Sequence, residues 1–244
     1  MNARAQVSAT LAAGQSARPG GAGGARGVFV TGTDTGIGKT RVAAVLLRAL
    51  AASGLRAAGM KPVAAGIAPG SPVNEDVAAL AAAGNVDAPL DERNPYAFIE
   101  PIAPHLAARD EGRRIELDVI ARAFAALSAR ADAVVVEGAG GVLVPLDAHD
   151  DMLDIARALR LPVLLVVGMR LGCLNHALLS ALAIRARGLP FAGWVANELP
   201  PGMPRCADNV ATLARLLGVA PIATFGPGTA CRFDAMALAR LKLR

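Results

Sequence analysis

Short apolar runs alternate with longer segments of helical spacing along most of this chain. The runs are residues 28–31, 56–62, 133–136, 162–167, 191–196 and 220–225. They are near-continuous rather than alternating, the mark of strands buried on both faces in a parallel sheet covered by helices. Between them, residues 41–52 read as a helix stopped by Gly54, and residues 75–83 as a helix with Asn74 at its N-cap and Gly84 at its end. Further helices are expected over 118–130, 151–159, 173–187 (closed by Gly188), 205–217, and from about Asp234 onward. Segments 62–73 and 85–114 are weakly periodic and read as long functional loops. The pattern predicts an α/β fold, a parallel sheet with helices on both faces.

In such a sheet ligands bind beyond the carboxyl ends of the strands, so the residues after each run matter most. After the first comes "GTDTGIGKT", residues 32–40. Its glycines let backbone N–H groups converge on phosphate oxygens, and the helix that follows adds its N-terminal partial charge. Lys39 would reach the β- and γ-phosphates and the Thr40 hydroxyl a Mg²⁺ ion. The spacing departs from G-x-x-x-x-G-K-T, because Thr33 stands where the first glycine belongs and Gly32 comes one residue earlier. With a strand before and a helix after, the stretch reads as a P-loop, and the fold as P-loop NTPase-like.

After the second run comes "GMKPVAAG", with Lys61 at the strand end. A second ammonium there would help neutralise a phosphoryl group in flight; the alternative is a solvated loop lysine. Asp76 in "NEDVAAL" suits a metal ligand and equally a helix first turn, where it favours the dipole. Glu137 in "VVVEGAGG" is an acid closing an apolar strand, the Walker-B arrangement that reaches Mg²⁺ directly or through water. Gly138, Gly140 and Gly141 would let backbone approach a ligand. "GMRLGCLNHA" is another Gly-containing turn into a helix, and its His176 reads as structural. Asn197 in "WVANELP" offers a donor and an acceptor to a base edge such as adenine, or is a turn residue.

Composition narrows the reading. Apolar residues make up 54% of the 244, a globular content, and no stretch approaches about 18 consecutive apolar residues, so no membrane span is expected. The net charge is +5, but Arg4, Arg18 and Arg26 lie in an N-terminal stretch without acids, leaving 22 basic against 20 acidic residues. With aromatics at 3%, nucleic-acid binding is not expected. A transit peptide can share the composition of residues 1–26; the Gly/Pro cluster near their end favours a disordered extension. Residues 27–244 then form a single domain.

Cys173, Cys206 and Cys231 are widely spaced and form no CxxC, which reads as reduced thiols in a cytosolic protein. The chain holds 22 arginines but only three lysines, Lys39, Lys61 and Lys242. A lysine in an arginine-using protein suggests a need for a compact ammonium, which favours function at Lys61. His105 and His149 have no metal-ligand spacing, and G-x-S-x-G and a helix-opening G-x-G-x-x-G are absent. The residues alone point to a Mg-nucleotide enzyme with a second lysine.

From about Gly27 to Leu217 the chain resembles the dethiobiotin synthetases. "TGTDTGIGKT", "GMKPVAAG", "NEDVAAL", "NPYAFIEPIAPH", "EGAGG", "VVGMRLGCLNHALL" and "AGWVANE" follow in that family's order. The resemblance implies an ATP-dependent cyclo-ligase of biotin biosynthesis, joining CO₂ to 7,8-diaminononanoate and closing a ureido ring through a carbamate–phosphate anhydride. It implies that Lys39 and Lys61 steady the phosphates and carbamate, and that Thr40, Asp76 and Glu137 hold Mg²⁺. ATP would be bordered by Gly36, Ile37, Gly38 and Arg41 of the loop, by Gly138, Ala139 and Gly140, and by Asn197, Glu198 and Pro227. Thr35, residue 65 and Gly141 would border the diamine. A cytoplasmic homodimer is implied, with "RLGCLNH" at the subunit interface near the neighbour's substrate carboxylate.

The chain departs from the family at Ala65, where K-P-x-x-S-G has a hydroxyl, at Glu198, where aspartate is usual, and in "TFGPGTACRFD", which lacks a clear adenine-loop pattern. The competing reading is a P-loop regulatory ATPase of the partitioning type. Its K-G-G-x-G-K-T signature would put a lysine where Asp34 stands.

Overall fold

Along the central strands successive side chains enter two different cores. Phe29, Val134, Val136, Val163, Leu165 and Val167 belong to one. Val28, Val30, Ala133, Val135, Leu164 and Val166 belong to the other. A strand whose every side chain finds apolar company must be covered on both sides, which explains the near-continuous runs. The computed structural model describes residues 26–226 and 231–243. The expected N-terminal extension, up to residue 25, and Pro227 lie outside them.

Six strands form one parallel sheet: β1 (Arg26–Gly32), β2 (Ala57–Met60), β5 (Ala133–Gly141), β6 (Val163–Met169), β7 (Phe191–Glu198) and β8 (Ala223–Phe225). Their spatial order is β2-β5-β1-β6-β7-β8. One core takes side chains from α1 (Lys39–Ala52), α2 (Glu75–Ala83) and α9 (Ala235–Arg240). The other takes them from α5 (Leu117–Arg130), α6 (Met152–Ala158), α7 (Cys173–Ala186) and α8 (Cys206–Leu217). The expected helices and strands fall here within a few residues of their predicted ends.

Two expectations are corrected. Segments 62–73 and 85–114 are not plain loops. They contain β3 (Val63–Ala65), α3 (Leu90–Arg93), β4 (Tyr96–Phe98) and α4 (Pro104–Asp110), and β3 pairs in parallel with β4 as a separate two-stranded sheet. Three-residue strands are too short to show a period, so sequence pattern could not reveal them. Nor does β5 stop at Glu137. It continues to Gly141 through a register shift against β1, where Val30 faces Glu137 and Gly32 faces Gly141. Glycine-rich backbone accommodates such a shift.

Gly84 also ends α2 in an unexpected way. Its backbone is extended rather than left-handed. A Cβ there would lie 2.6 Å from the Ala57 carbonyl oxygen, so close approach of α2 to β2 is what requires glycine.

Candidate active site

The carboxyl ends of β1, β2 and β5 bring four of the singled-out side chains into direct contact. Thr40, on the first turn of α1, has its hydroxyl oxygen 2.7 Å from Asp76 Oδ1 and 2.9 Å from Glu137 Oε1. Lys61, one residue past β2, donates to Glu137 Oε1 at 2.7 Å and lies 2.8 Å from Asp76 Oδ2. Lys39 donates to the Asp34 carbonyl at 2.9 Å. Both lysines and Glu137 are buried. Asp76 sits in the first turn of α2, whose N-cap Asn74 accepts from the Asp76 N–H, and also faces Thr40 and Lys61. The helix-dipole and site readings of this residue therefore coexist.

The charges shape one another. Burial pushes the Lys39 ammonium down to about 8, with the Glu137 carboxylate opposing it and Lys61 adding to it. Burial also acts to lower Lys61, but the Glu137 and Asp76 carboxylates outweigh it and hold the ammonium above the ordinary lysine value. Burial acts to raise Asp76, and the nearby Lys61 ammonium wins, holding its carboxyl below the usual range.

Glu137 Oε2 is buried and has no hydrogen-bond partner among the described residues. A buried carboxylate oxygen left so is costly unless something else satisfies it. Together with the Thr40 and Asp76 oxygens it forms a hard, all-oxygen set, suited to Mg²⁺ completed by phosphates and water. Among the described residues no group of three or more His, Cys, Asp and Glu is placed to hold a metal, which such a Mg²⁺ site does not require.

The loop itself is held from outside. Gly38 is left-handed at φ 84°, and a Cβ on it would lie 2.3 Å from Asn197 Nδ2. That amide donates to the Ile37 carbonyl at 2.8 Å, while Arg41 donates to its oxygen at 3.3 Å. In this structure Asn197 therefore fastens the loop, and Arg41 extends over the Phe225 ring. Glu198 accepts from the Met203 N–H. Ala65 is half-buried in β3. Thr35 is exposed, its hydroxyl oxygen 3.4 Å from where a Cβ on Gly140 would stand, so Gly138, Ala139, Gly140 and Gly141 pass beside the loop.

Sequence reasoning assigned no role to Arg93 or Asn94, and it placed Arg170 only in the expected interface stretch "RLGCLNH". Arg170 pairs with the Asp34 carboxylate beside the loop. Arg93 and Asn94 grip the backbone of Lys61. The trace in the sequence is an Asn-Pro step after a charged tripeptide, "DERNP".

A parallel sheet whose first strand feeds a glycine loop and a Lys-Thr helix start, with a buried acid on the adjacent strand, defines a P-loop nucleotide-binding protein. A family model described as an AAA domain matches residues 26–227. The ATP-dependent dethiobiotin synthetase BioD of Nitrosospira multiformis is 54% identical over 201 residues, covering 80% of this chain and 88% of the relative. The enzyme of the same name from Aromatoleum aromaticum is 53% identical over 203 residues, covering 80% and 90%. Among solved structures, the septum site-determining protein MinD complexed with Mg-ADP from Pyrococcus horikoshii superposes with a TM-score of 0.52 at 14% identity, covering 90% of this chain and 86% of that one. That likeness establishes the fold alone. The chain belongs to the ATP-dependent dethiobiotin synthetase family, which decides between the ligase and the partitioning-type regulatory ATPase in favour of the ligase.

Proposed function

We propose that this protein is an ATP-dependent dethiobiotin synthetase that joins CO₂ to 7,8-diaminononanoate and closes the ureido ring, using Mg²⁺ held by Thr40, Asp76 and Glu137. The observation that carries the reading is the convergence of two ammonium groups, two carboxylates and a hydroxyl on the mouth of a phosphate loop, in a chain of this family. Bound there, Mg²⁺ would neutralise charge on the phosphate oxygens.

The chemistry follows in three steps. One substrate amine adds to CO₂ and loses a proton, giving a carbamate. A carbamate oxygen attacks the γ-phosphorus and ADP departs. The second amine then attacks the carbonyl carbon, the C–O bond to phosphate breaks, and the ring closes with loss of a proton. Each charged stage is anionic, so the work of Lys39 and Lys61 is to stabilise oxygens as charge moves between them. Lys39 lies closest to the loop backbone and serves the transferring phosphate; Lys61 serves the carbamate side. The loop glycines and the Ile37 and Arg41 positions enclose the triphosphate. Thr35, Ala65 and Gly141 border the diamine. Asn197 and Glu198 would meet the base.

Residues 27–244 act as the single catalytic domain of a cytoplasmic homodimer, with the preceding stretch dispensable for turnover. No described helix is long and apolar enough to cross a membrane. The deciding assay is ADP release in bicarbonate with and without diaminononanoate. Strong stimulation by the diamine is expected. Hydrolysis indifferent to the diamine would contradict the ligase and return the regulatory ATPase.

A further inference from the structure

We propose that Asn94 is a positioning residue for Lys61: its buried side-chain amide holds the lysine's backbone carbonyl and so fixes where the ammonium can reach. The proposal rests on the reading of Lys61 given above.

Lys61 lies one residue beyond β2, whose last ladder pair against β5 is Met60 with Val136. The main sheet therefore does not hold it. Its N–H donates instead to the Arg93 carbonyl at 2.8 Å. Its carbonyl accepts from Asn94 Nδ2 at 2.7 Å. The next residue is Pro62, which has no N–H to give and whose carbonyl accepts from the Tyr96 N–H at 3.1 Å.

Asn94 spends its second amide hydrogen on the Tyr96 carbonyl at 2.9 Å, which ties the grip to the start of β4. The grip is also anchored beneath. The buried Arg93 guanidinium donates to the carbonyls of Gly59, Ala88 and Val86, and so ties the clamp back to β2 itself.

Asn94 is buried, and no hydrogen bond joins it to Lys39, Thr40, Asp76 or Glu137. Of the two lysines, two carboxylates and hydroxyl of the site, Asn94 touches only Lys61, through its backbone carbonyl. During turnover the Lys61 ammonium must exchange carboxylate partners for substrate oxygens. A long side chain can make that exchange reproducibly only if its Cα stays still.

The chain's three lysines make the test direct, because ¹³Cε-lysine labelling gives signals only for Lys39, Lys61 and Lys242. Loss of one signal in Lys61→Ala assigns Lys61. Spectra at fixed pH and steady-state kinetics are then compared for the full chain, Asn94→Ala and the milder Asn94→Ser.

In either variant that folds, the Lys61 signal moves most, that of Lys39, which feels the Lys61 charge, moves less, and that of Lys242 stays. The kcat falls roughly tenfold or more, with the KM for ATP within about threefold of the parent. A Lys61 signal at its parental position overturns the proposal, as do three signals moving together, which would report general loosening. The spectra need no turnover, so absence of diamine-dependent activity in the parent would count against the proposed function and leave this inference separately decided.

Discussion

Lys61 and Glu137 form an ion pair of 2.7 Å in which the side chains are only 6% and 1% exposed. Such a pair contributes little while intact, but breaking it strands a charge, typically at a cost of about 3–5 kcal/mol. Lys61→Ala should therefore lower the denaturant midpoint, the more so because Asp76 also loses the ammonium that faces it. It should leave ATP binding within a few-fold of the parent and abolish ring closure. Near-normal dethiobiotin formation by that variant would show that Lys61 takes no part in the chemistry.

The same cluster sets a pH window for stability. Lys61 is raised above 10.5, so its contribution is complete below that value and is lost as pH climbs through the higher folded one. Asp76 is lowered below 3.8, so its contribution holds above that value and is lost as pH falls through the lower folded one. Urea midpoints should be flat near neutrality with respect to these two groups. Lys61→Ala should remove the alkaline limb they predict.

Lys39 gives ATP binding a distinct pH signature. Its ammonium titrates near about 8 in the ligand-free protein, and a bound triphosphate favours the charged form. The complex then holds more protons than the free protein above that pH. Affinity should be highest below about 8 and weaken by up to about tenfold per unit above it. Phosphate groups, with a second pKa near about 6, are already ionised there. Calorimetry in buffers of different ionisation heat should show proton uptake at pH 9. A dissociation constant unchanged from pH 7 to 9.5 would contradict the assignment.

Gly36 and Gly38 separate backbone strain from packing. Both have positive φ, but a Cβ on Gly36 meets nothing within 4 Å, whereas one on Gly38 meets Asn197 Nδ2 at 2.3 Å. Gly36→Ala should cost about 1–2 kcal/mol of stability, the ordinary left-handed penalty. Gly38→Ala should cost more and displace Asn197 from the Ile37 carbonyl. Thermal melts of the two variants test the order; equal losses would mean that Asn197 gives way freely.

Ala65 stands where the K-P-x-x-S-G pattern implied by the resemblance would place a hydroxyl. Ala65→Ser should restore one substrate hydrogen bond worth about 1 kcal/mol, lowering the KM for diaminononanoate about fivefold with the KM for ATP unchanged. An unchanged diamine KM would place residue 65 outside the substrate's reach.

How far the sequence could be read depended on the range of the forces involved. The Gly-rich loop, the apolar strands and the strand-end position of Glu137 are local patterns, and the structure places Lys39, Thr40, Lys61, Asp76 and Glu137 at one sheet edge. The grip of Asn94 on Lys61 joins residues 33 apart, and the Arg170–Asp34 pair joins residues 136 apart. Neither leaves a periodic trace. The short strands β3 and β4 escaped for a related reason, since each is defined by its partner rather than by its own three residues. Asn197 was legible as a site residue by type, but its engagement with Ile37 and Arg41 depends on how β7 stands beside β6.

The path of one oxygen atom tests the central claim most directly. If a carbamate oxygen attacks the γ-phosphorus and later leaves with it, ¹⁸O supplied in CO₂ must appear in the released phosphate. Rapid-quench turnover with ¹⁸O-bicarbonate, ATP, Mg²⁺ and the diamine should give one ¹⁸O per phosphate by mass spectrometry, corrected for exchange with water. Phosphate free of that label, its fourth oxygen drawn from solvent, would mean that water attacks the nucleotide and that the two lysines serve hydrolysis instead.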